Sequence, residues 1–253
     1  MMTKPVFIAL DFSDAQETMA FLEQFPADVR PAVKVGMALF YREGPAIVRQ
    51  LKAAGFTVFL DLKLYDIPNT VAQATNHLAQ LGVDYLTIHA AGGVRMMTAA
   101  REGAVAGATL VNGQVPKLLA ITQLTSFSEQ EMQETQLVTV PLLTSVVHLA
   151  QLAATAGFAG TISSAFESRA IHEATPTNFL SITPGIRLAG DAVGDQNRVV
   201  TPARAREMGA NGIVVGRSIT QAPDPVAAYQ RVVAEFRGNN DDRLSNRSCR
   251  GIA

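Results

Sequence analysis

Three charged side chains fall within six positions in the stretch Asp61-Leu-Lys-Leu-Tyr-Asp-Ile-Pro-Asn-Thr70. Asp61, Lys63 and Asp66 follow the apolar run Val58-Phe59-Leu60, and Leu62 and Leu64 continue that run as a buried strand. Side chains alternate across a strand, so Asp61 and Lys63 point to the same side. Pro68 forbids simple continuation, which leaves Asp66 beyond the strand end. Charged groups seldom enter such surroundings unless paired. A carboxylate and an ammonium placed this way form either a structural ion pair or the acid–base and electrostatic machinery of a site. The elements that position them decide between the two.

Apolar strand-like runs alternate with helix-like segments along the whole chain. The runs cover residues 6–10, 32–35, 58–64, 85–89, 118–123, 158–163, 179–183 and 212–215. Helices are expected at 13–24, opened by a Ser13-x-x-Gln16 capping box, and at 44–54, 70–81, 94–105, 141–156, 165–173, 202–208 and 225–236. A polar insertion occupies 126–136, and the Gly- and Asp-containing loop 185–200 is too long for a simple connection, which makes it a lid candidate. Gly55, Gly82, Gly157 and Gly209 each stand between a helix and the next apolar run, as expected of C-caps in repeated αβ turns. Eight strand–helix units without an internal linker match a single-domain α/β fold, a (β/α)8 TIM barrel over 1–237. The polar tail 238–253 is expected to be disordered. A doubly wound open sheet is the alternative, but the first βα turn, Leu10-Asp-Phe-Ser-Asp, lacks a glycine-rich dinucleotide fingerprint.

Composition excludes several function classes. The hydrophobic fraction of 48% over 253 residues supports a sizeable core. A net charge of −1 with no long basic run argues against a nucleic-acid partner, while leaving room for a local anion pocket. The single cysteine, Cys249, lies in the polar tail, so neither a disulfide framework nor a thiolate metal site is expected. No apolar run approaches a membrane span, and the opening Met-Met-Thr-Lys-Pro has no signal-peptide character, so a cytoplasmic protein is expected.

Active sites of such barrels sit at the C-terminal strand ends. Asp11 ends the first run, Lys34 falls late in the second, and Asp61 and Lys63 end the third. Thr125 and Ser126 follow the fifth, Pro184, Gly185 and Arg187 the seventh, and Gly216 and Arg217 the eighth. Two of only five lysines therefore occupy strand ends rather than helix faces, which favours a site over a solvated surface. Gly216 lets backbone N–H groups approach an anion at a helix start, and Arg217 offers bidentate contacts, so the loops after runs seven and eight are expected to bind phosphate. Gln196, in the long seventh loop, can close over that phosphate or be a solvated loop residue. His77, His148 and His172 show no metal-ligand spacing, and His89 is expected to be a hydrogen-bonded core histidine.

The Asp61 to Thr70 motif, with Ala9-Leu-Asp-Phe, Val33-Lys-Val-Gly, Leu124-Thr-Ser, Thr183-Pro-Gly-Ile-Arg187, Gly194-Asp-Gln-Asn-Arg-Val and Val215-Gly-Arg-Ser-Ile, resembles the bacterial orotidine 5′-phosphate decarboxylase family from about Val6 to Tyr229. The bare Asp-x-Lys-x-x-Asp is shared with related barrels acting on sugar phosphates; its ten-residue form is far more specific. Thr161-Ile-Ser-Ser-Ala165 departs from the valine- and cysteine-containing version of many relatives, inside a strand and away from any expected catalytic role. The resemblance implies decarboxylation of orotidine 5′-monophosphate (OMP) to uridine 5′-monophosphate (UMP), with no cofactor and no metal. It implies that Lys63 stabilises and protonates a C6 carbanion beside Asp61, with Lys34 paired to Asp61 and reaching the ribose that Asp11 binds. It further implies that Thr125 meets the pyrimidine, and that Arg187, Gln196, Gly216 and Arg217 take the phosphate. Asp66, Ile67 and Thr70 would reach the neighbouring site of a homodimer. A metal-dependent sugar-phosphate enzyme on the same barrel, and a catalytically dead nucleotide-binding barrel, are the competing readings. The intact Leu-Tyr-Asp-Ile-Pro-Asn-Thr continuation and the Gly-Asp-Gln loop oppose the former. The presence of Lys34, Asp61, Lys63 and Asp66 together opposes the latter.

Overall fold

The computed structural model describes residues 4–190 and 199–238. Eight parallel strands close on themselves in sequence order: β1 (Val6–Ala9), β2 (Ala32–Gly36), β3 (Val58–Leu64), β4 (Tyr85–His89), β5 (Lys117–Ile121), β6 (Gly160–Ile162), β7 (Leu180–Ile186) and β8 (Gly212–Val215). The expected (β/α)8 barrel is therefore the fold, and the open sheet is excluded because β1 pairs with both β2 and β8.

Strand periodicity divides the apolar residues into two layers. Phe7, Phe59, Tyr85, Leu119, Ile121, Ile162, Ile182 and Val214 fill the barrel interior, with Phe7 edge-on to Phe59 and Tyr85 at 5.2 and 5.1 Å. Their sequence neighbours, including Ile8, Val33, Val35, Leu60, Leu86, Ile88, Ala120, Ile213 and Val215, pack outward against the helices. Both layers exclude water almost completely, so each strand reads as a continuous apolar run rather than an alternation.

All four αβ-turn glycines adopt positive φ, between 72° and 97°, as C-caps require. Two helices approach closely where Gly103 and Gly107 of helix Gly93–Leu110 lie on the backbone carbonyls of Ala72 and Asn76 of helix Pro68–Ala79, leaving no space for a Cβ. Around β6 and β7 the polar Thr161, Ser163, Ser168 and Ser181 are fully buried and hydrogen-bond to one another. That is how Thr161 and Ser163 of the polar stretch are accommodated.

Several boundaries differ from expectation. A helix at Met37–Glu43 follows β2 directly, where apolar residues after Gly36 carry no capping signal. The first helix, Ala15–Leu22, is capped by Asp14, which accepts from Glu17 N–H, rather than by Ser13. Ser13 instead donates to the Glu17 carboxylate, so the box is displaced by one residue. The 126–136 insertion contains a helix, Glu129–Gln136, opened by a Ser128–Glu131 capping box. Half of the expected lid, residues 191–198, and the tail beyond Gly238 lie outside the described residues.

Candidate active site

The inward series of each strand continues beyond the apolar filling into polar residues at the C-terminal mouth. Phe7 and Ala9 lead to Asp11, Ala32 to Lys34, Phe59 to Asp61, and Leu119 and Ile121 to Gln123. A cavity of about 270 Å³ opens above that filling, close to the ~300–1,000 Å³ usual for small-molecule sites. Asp11, Lys34, Asp61, Lys63, Thr125, Arg187, Gly216 and Arg217 all line it, so eight of the expected site residues meet in one place.

Charges alternate along one wall. Lys34 Nζ lies 3.6 Å from Asp11 Oδ1 and 3.7 Å from Asp61 Oδ2, and Lys63 Nζ lies 2.9 Å from the same Asp61 oxygen. The Asp61 and Lys34 side chains are only 13% and 12% exposed, so neither charge is well solvated and each depends on the other. Gly36 leaves the space for this arrangement, since a Cβ there would stand 3.2 Å from Lys34 Nζ.

Lys63 reaches Asp61 by an unusual backbone route. Its φ is 51°, the β3–β4 register shifts between Leu60 and Leu64, and its N–H is bound by Thr87 Oγ at 2.9 Å. A non-glycine residue in the left-handed region costs on the order of 1 kcal/mol or more, and such strain concentrates at functional sites. The Thr87 hydroxyl in turn donates to Asp61 Oδ1 at 2.9 Å. Thr87 was not singled out from sequence, yet it follows Tyr85 in the inward series of β4, and that parity is a signal for it.

Across the cavity, β7 also changes register, between Thr183 and Ile186, around Gly185 at φ 76°. This turn carries Arg187, which is 8% exposed and donates to the Ile186 carbonyl at 2.9 Å. Leu188 N–H meets Ser218 Oγ at 3.4 Å, joining the β7 loop to the short helix Arg217–Thr220 after β8. Two guanidinium groups beside Gly216 give this end of the cavity the donors and charge for an oxyanion.

Asp66, Ile67 and Thr70 do not line the cavity of their own chain. All three are exposed, Ile67 to 66%, at the start of helix Pro68–Ala79. Asp66 Oδ1 accepts the Ile67 N–H at 2.6 Å. Gln196 lies outside the described residues. His89 is only partly buried and meets the Tyr65 ring at 5.5 Å, so it is not the hydrogen-bonded core residue expected. Burial lowers its pKa below the ordinary 6.5, and the Lys63 ammonium acts in the same direction against an opposing effect of Asp61. Among the described residues no group of three or more His, Cys, Asp or Glu is placed to hold a metal ion. No helix among them is long and apolar enough to cross a membrane.

Known proteins share this chain's sequence and shape over most of its length. The model of the orotidine 5′-phosphate decarboxylase / HUMPS family matches residues 4–232. An orotidine 5′-phosphate decarboxylase of Enterococcus faecalis is 58% identical over 236 residues, covering 93% of this chain and 99% of that one. Its counterpart from Oenococcus oeni is 55% identical over 235 residues, covering 93% and 100%. The crystal structure of orotidine 5′-phosphate decarboxylase from Lactobacillus acidophilus superposes with a TM-score of 0.83 at 41% identity, covering 92% of this chain and 99% of that one.

Proposed function

This chain belongs to the orotidine 5′-phosphate decarboxylase / HUMPS family, and we propose that its cavity converts OMP to UMP and CO2 without a metal, the last step of de novo UMP synthesis. The observation that carries the reading is the Asp11–Lys34–Asp61–Lys63 chain in a cavity that Arg187 and Arg217, on the loops after β7 and β8, also line. A nucleotide has the same polarity, with a phosphate at one end and a reacting base at the other.

Decarboxylation breaks the bond from pyrimidine C6 to the carboxylate carbon. The electron pair stays on C6, where no adjacent group delocalises it. Stabilisation must come from fixed charge near C6, followed by a proton. Lys63 supplies both: its ammonium faces the developing carbanion and then transfers a proton to C6. Asp61 holds Lys63 in place and stands beside the departing carboxylate, where its charge raises the ground state relative to the transition state. Lys34 and Asp11 take the ribose hydroxyls, and Thr125 meets the pyrimidine. Arg187, Gly216 and Arg217 hold the phosphate, with Gln196 closing over it. Binding energy gained at the phosphate then serves the chemistry at C6.

Asp66, Ile67 and Thr70 serve the neighbouring site of a homodimer, and their exposure outside their own cavity supports that division. The enzyme works in the cytoplasm.

Incubation of the purified protein with OMP, with and without EDTA, tests the reading through UMP formation. Equal turnover in both is expected. Absence of turnover overturns the substrate, and loss of turnover in EDTA overturns the metal-free mechanism.

A further inference from the structure

Gln123 ends the inward series of β5, so its amide rises above Ile121 into the cavity wall. It is 5% exposed, and a buried primary amide needs partners for its N–H groups and its carbonyl. Its Nε2 donates to Gln136 Oε1 at 3.0 Å and to Ser145 Oγ at 2.9 Å, while Gln136 Nε2 donates back to Gln123 Oε1 at 2.8 Å. The two amides are joined reciprocally. Neither partner belongs to the barrel wall: Gln136 ends the inserted helix Glu129–Gln136, and Ser145 lies in helix Leu142–Thr155.

That inserted helix has little else to hold it. Met132 is its one buried residue, Gln133 Nε2 donates to the Val140 carbonyl of the following loop at 3.2 Å, and Glu129 Oε2 accepts the Leu142 N–H at the start of helix Leu142–Thr155 at 2.8 Å. It terminates at Leu137, 90% exposed with φ 54°, a conformation that a leucine adopts only under strain. Between Gln123 and the helix run Leu124 and Thr125, both of which line the cavity. In the closed strand order β5 lies opposite β1 and apart from the β7 and β8 loops that carry the arginines.

We propose that the Gln123–Gln136 amide pair is a positioning device for base recognition. It latches the segment after β5 onto the barrel rim and so sets where Leu124 and Thr125 stand against the pyrimidine. This inference rests on the nucleotide reading above. Gln123 and Gln136 act through Thr125, and a merely structural brace would loosen all parts of the ligand together.

The test uses Gln136→Ala, because Gln136 is exposed and its loss leaves Gln123 Nε2 bonded to Ser145. Calorimetric titration with UMP and with ribose 5-phosphate separates the two ends of the site, and steady-state assay gives KM and kcat for OMP. UMP affinity is expected to fall about three- to tenfold, the effect of one or two hydrogen bonds, with KM rising in parallel and kcat retained. Ribose 5-phosphate affinity should not change. Equal weakening of both ligands, or unchanged UMP affinity and KM, overturns the proposal. The Gln123→Ala/Gln136→Ala double variant should bind UMP no more weakly than Gln123→Ala alone, and additive losses would overturn the pairing. Failure of the unaltered protein to bind UMP removes the substrate reading and this inference with it. Binding by that protein with an unaffected variant removes only the inference.

Discussion

Thr87 and Asp61 are joined hydroxyl to carboxylate at 2.9 Å, and the same hydroxyl accepts the Lys63 backbone N–H at 2.9 Å. One oxygen of Asp61 is thus committed to β4, while the other faces Lys63 and Lys34. The ammonium groups meet a carboxylate that cannot turn. Electrostatic stabilisation of a transition state needs this kind of fixed charge, since a free carboxylate would reorganise during the reaction.

Replacing Thr87 by valine keeps the shape of a fully buried side chain and removes both hydrogen bonds. Stability should fall by about 1–3 kcal/mol, because a buried acceptor and donor lose their partner. The value of kcat should fall about tenfold or more, with KM changed far less. Denaturant unfolding and steady-state kinetics measure the two effects, and a normal kcat would show that Asp61 needs no anchor.

Lys63 allows chemistry and strain to be separated. Lys63→Ala should abolish turnover and leave the barrel folded, and near-normal turnover would reject the proton-donor role. Lys63→Gly should be equally inactive yet more stable than Lys63→Ala by about 0.5–1 kcal/mol, because glycine adopts φ 51° without a steric penalty. Equal unfolding midpoints for the two variants would mean that the bulge stores no strain.

Strand parity accounts for most of what was legible in the sequence. Asp11, Lys34 and Asp61 could be placed on one rim because each follows an inward apolar residue, and eight such runs with glycine-capped helices admit one closed topology. The same parity points to Thr87 and Gln123. Both were overlooked, because threonine is an ordinary strand former and Gln123 was read as the end of an apolar run. Other features lie beyond local pattern. The left-handed backbone of Lys63 arises from the β3–β4 register shift, which depends on residues 24 apart. The helix at Met37–Glu43 begins with Met-Ala-Leu-Phe, which reads equally well as more strand, and only the short β2 shows otherwise. The insertion after β5 reads only as polar, with no helical pattern, because its helix buries a single residue, Met132.

His89 gives the fold a pH dependence with a definite sign. Its pKa is below 6.5 in the folded state, chiefly through burial and further through Lys63, so the unfolded chain takes up the proton first on acidification. Stability is fully present above the ordinary histidine pKa and is lost as pH falls from there towards the folded value. Between pH 7.5 and about 5.5, His89→Asn should therefore lose less stability than the unaltered protein. Unfolding midpoints at the two pH values decide it, and identical losses would remove His89 as the cause.

The exposed start of helix Pro68–Ala79 leads to a test of shared sites. Asp66 and Ile67 follow β3 closely in sequence yet line no part of their own cavity. In a homodimer with exchanged loops, Lys63→Ala and Asp66→Ala chains are each inactive alone. A hybrid of the two has one site missing both groups and one site with both, since Lys63 comes from one chain and Asp66 from the other. Random re-pairing of equal amounts makes half of the dimers hybrids, so mixing should restore about a quarter of the unaltered activity. Activity that stays at zero after subunit exchange, with exchange itself verified by mass, would place Asp66 in the service of its own chain or of none.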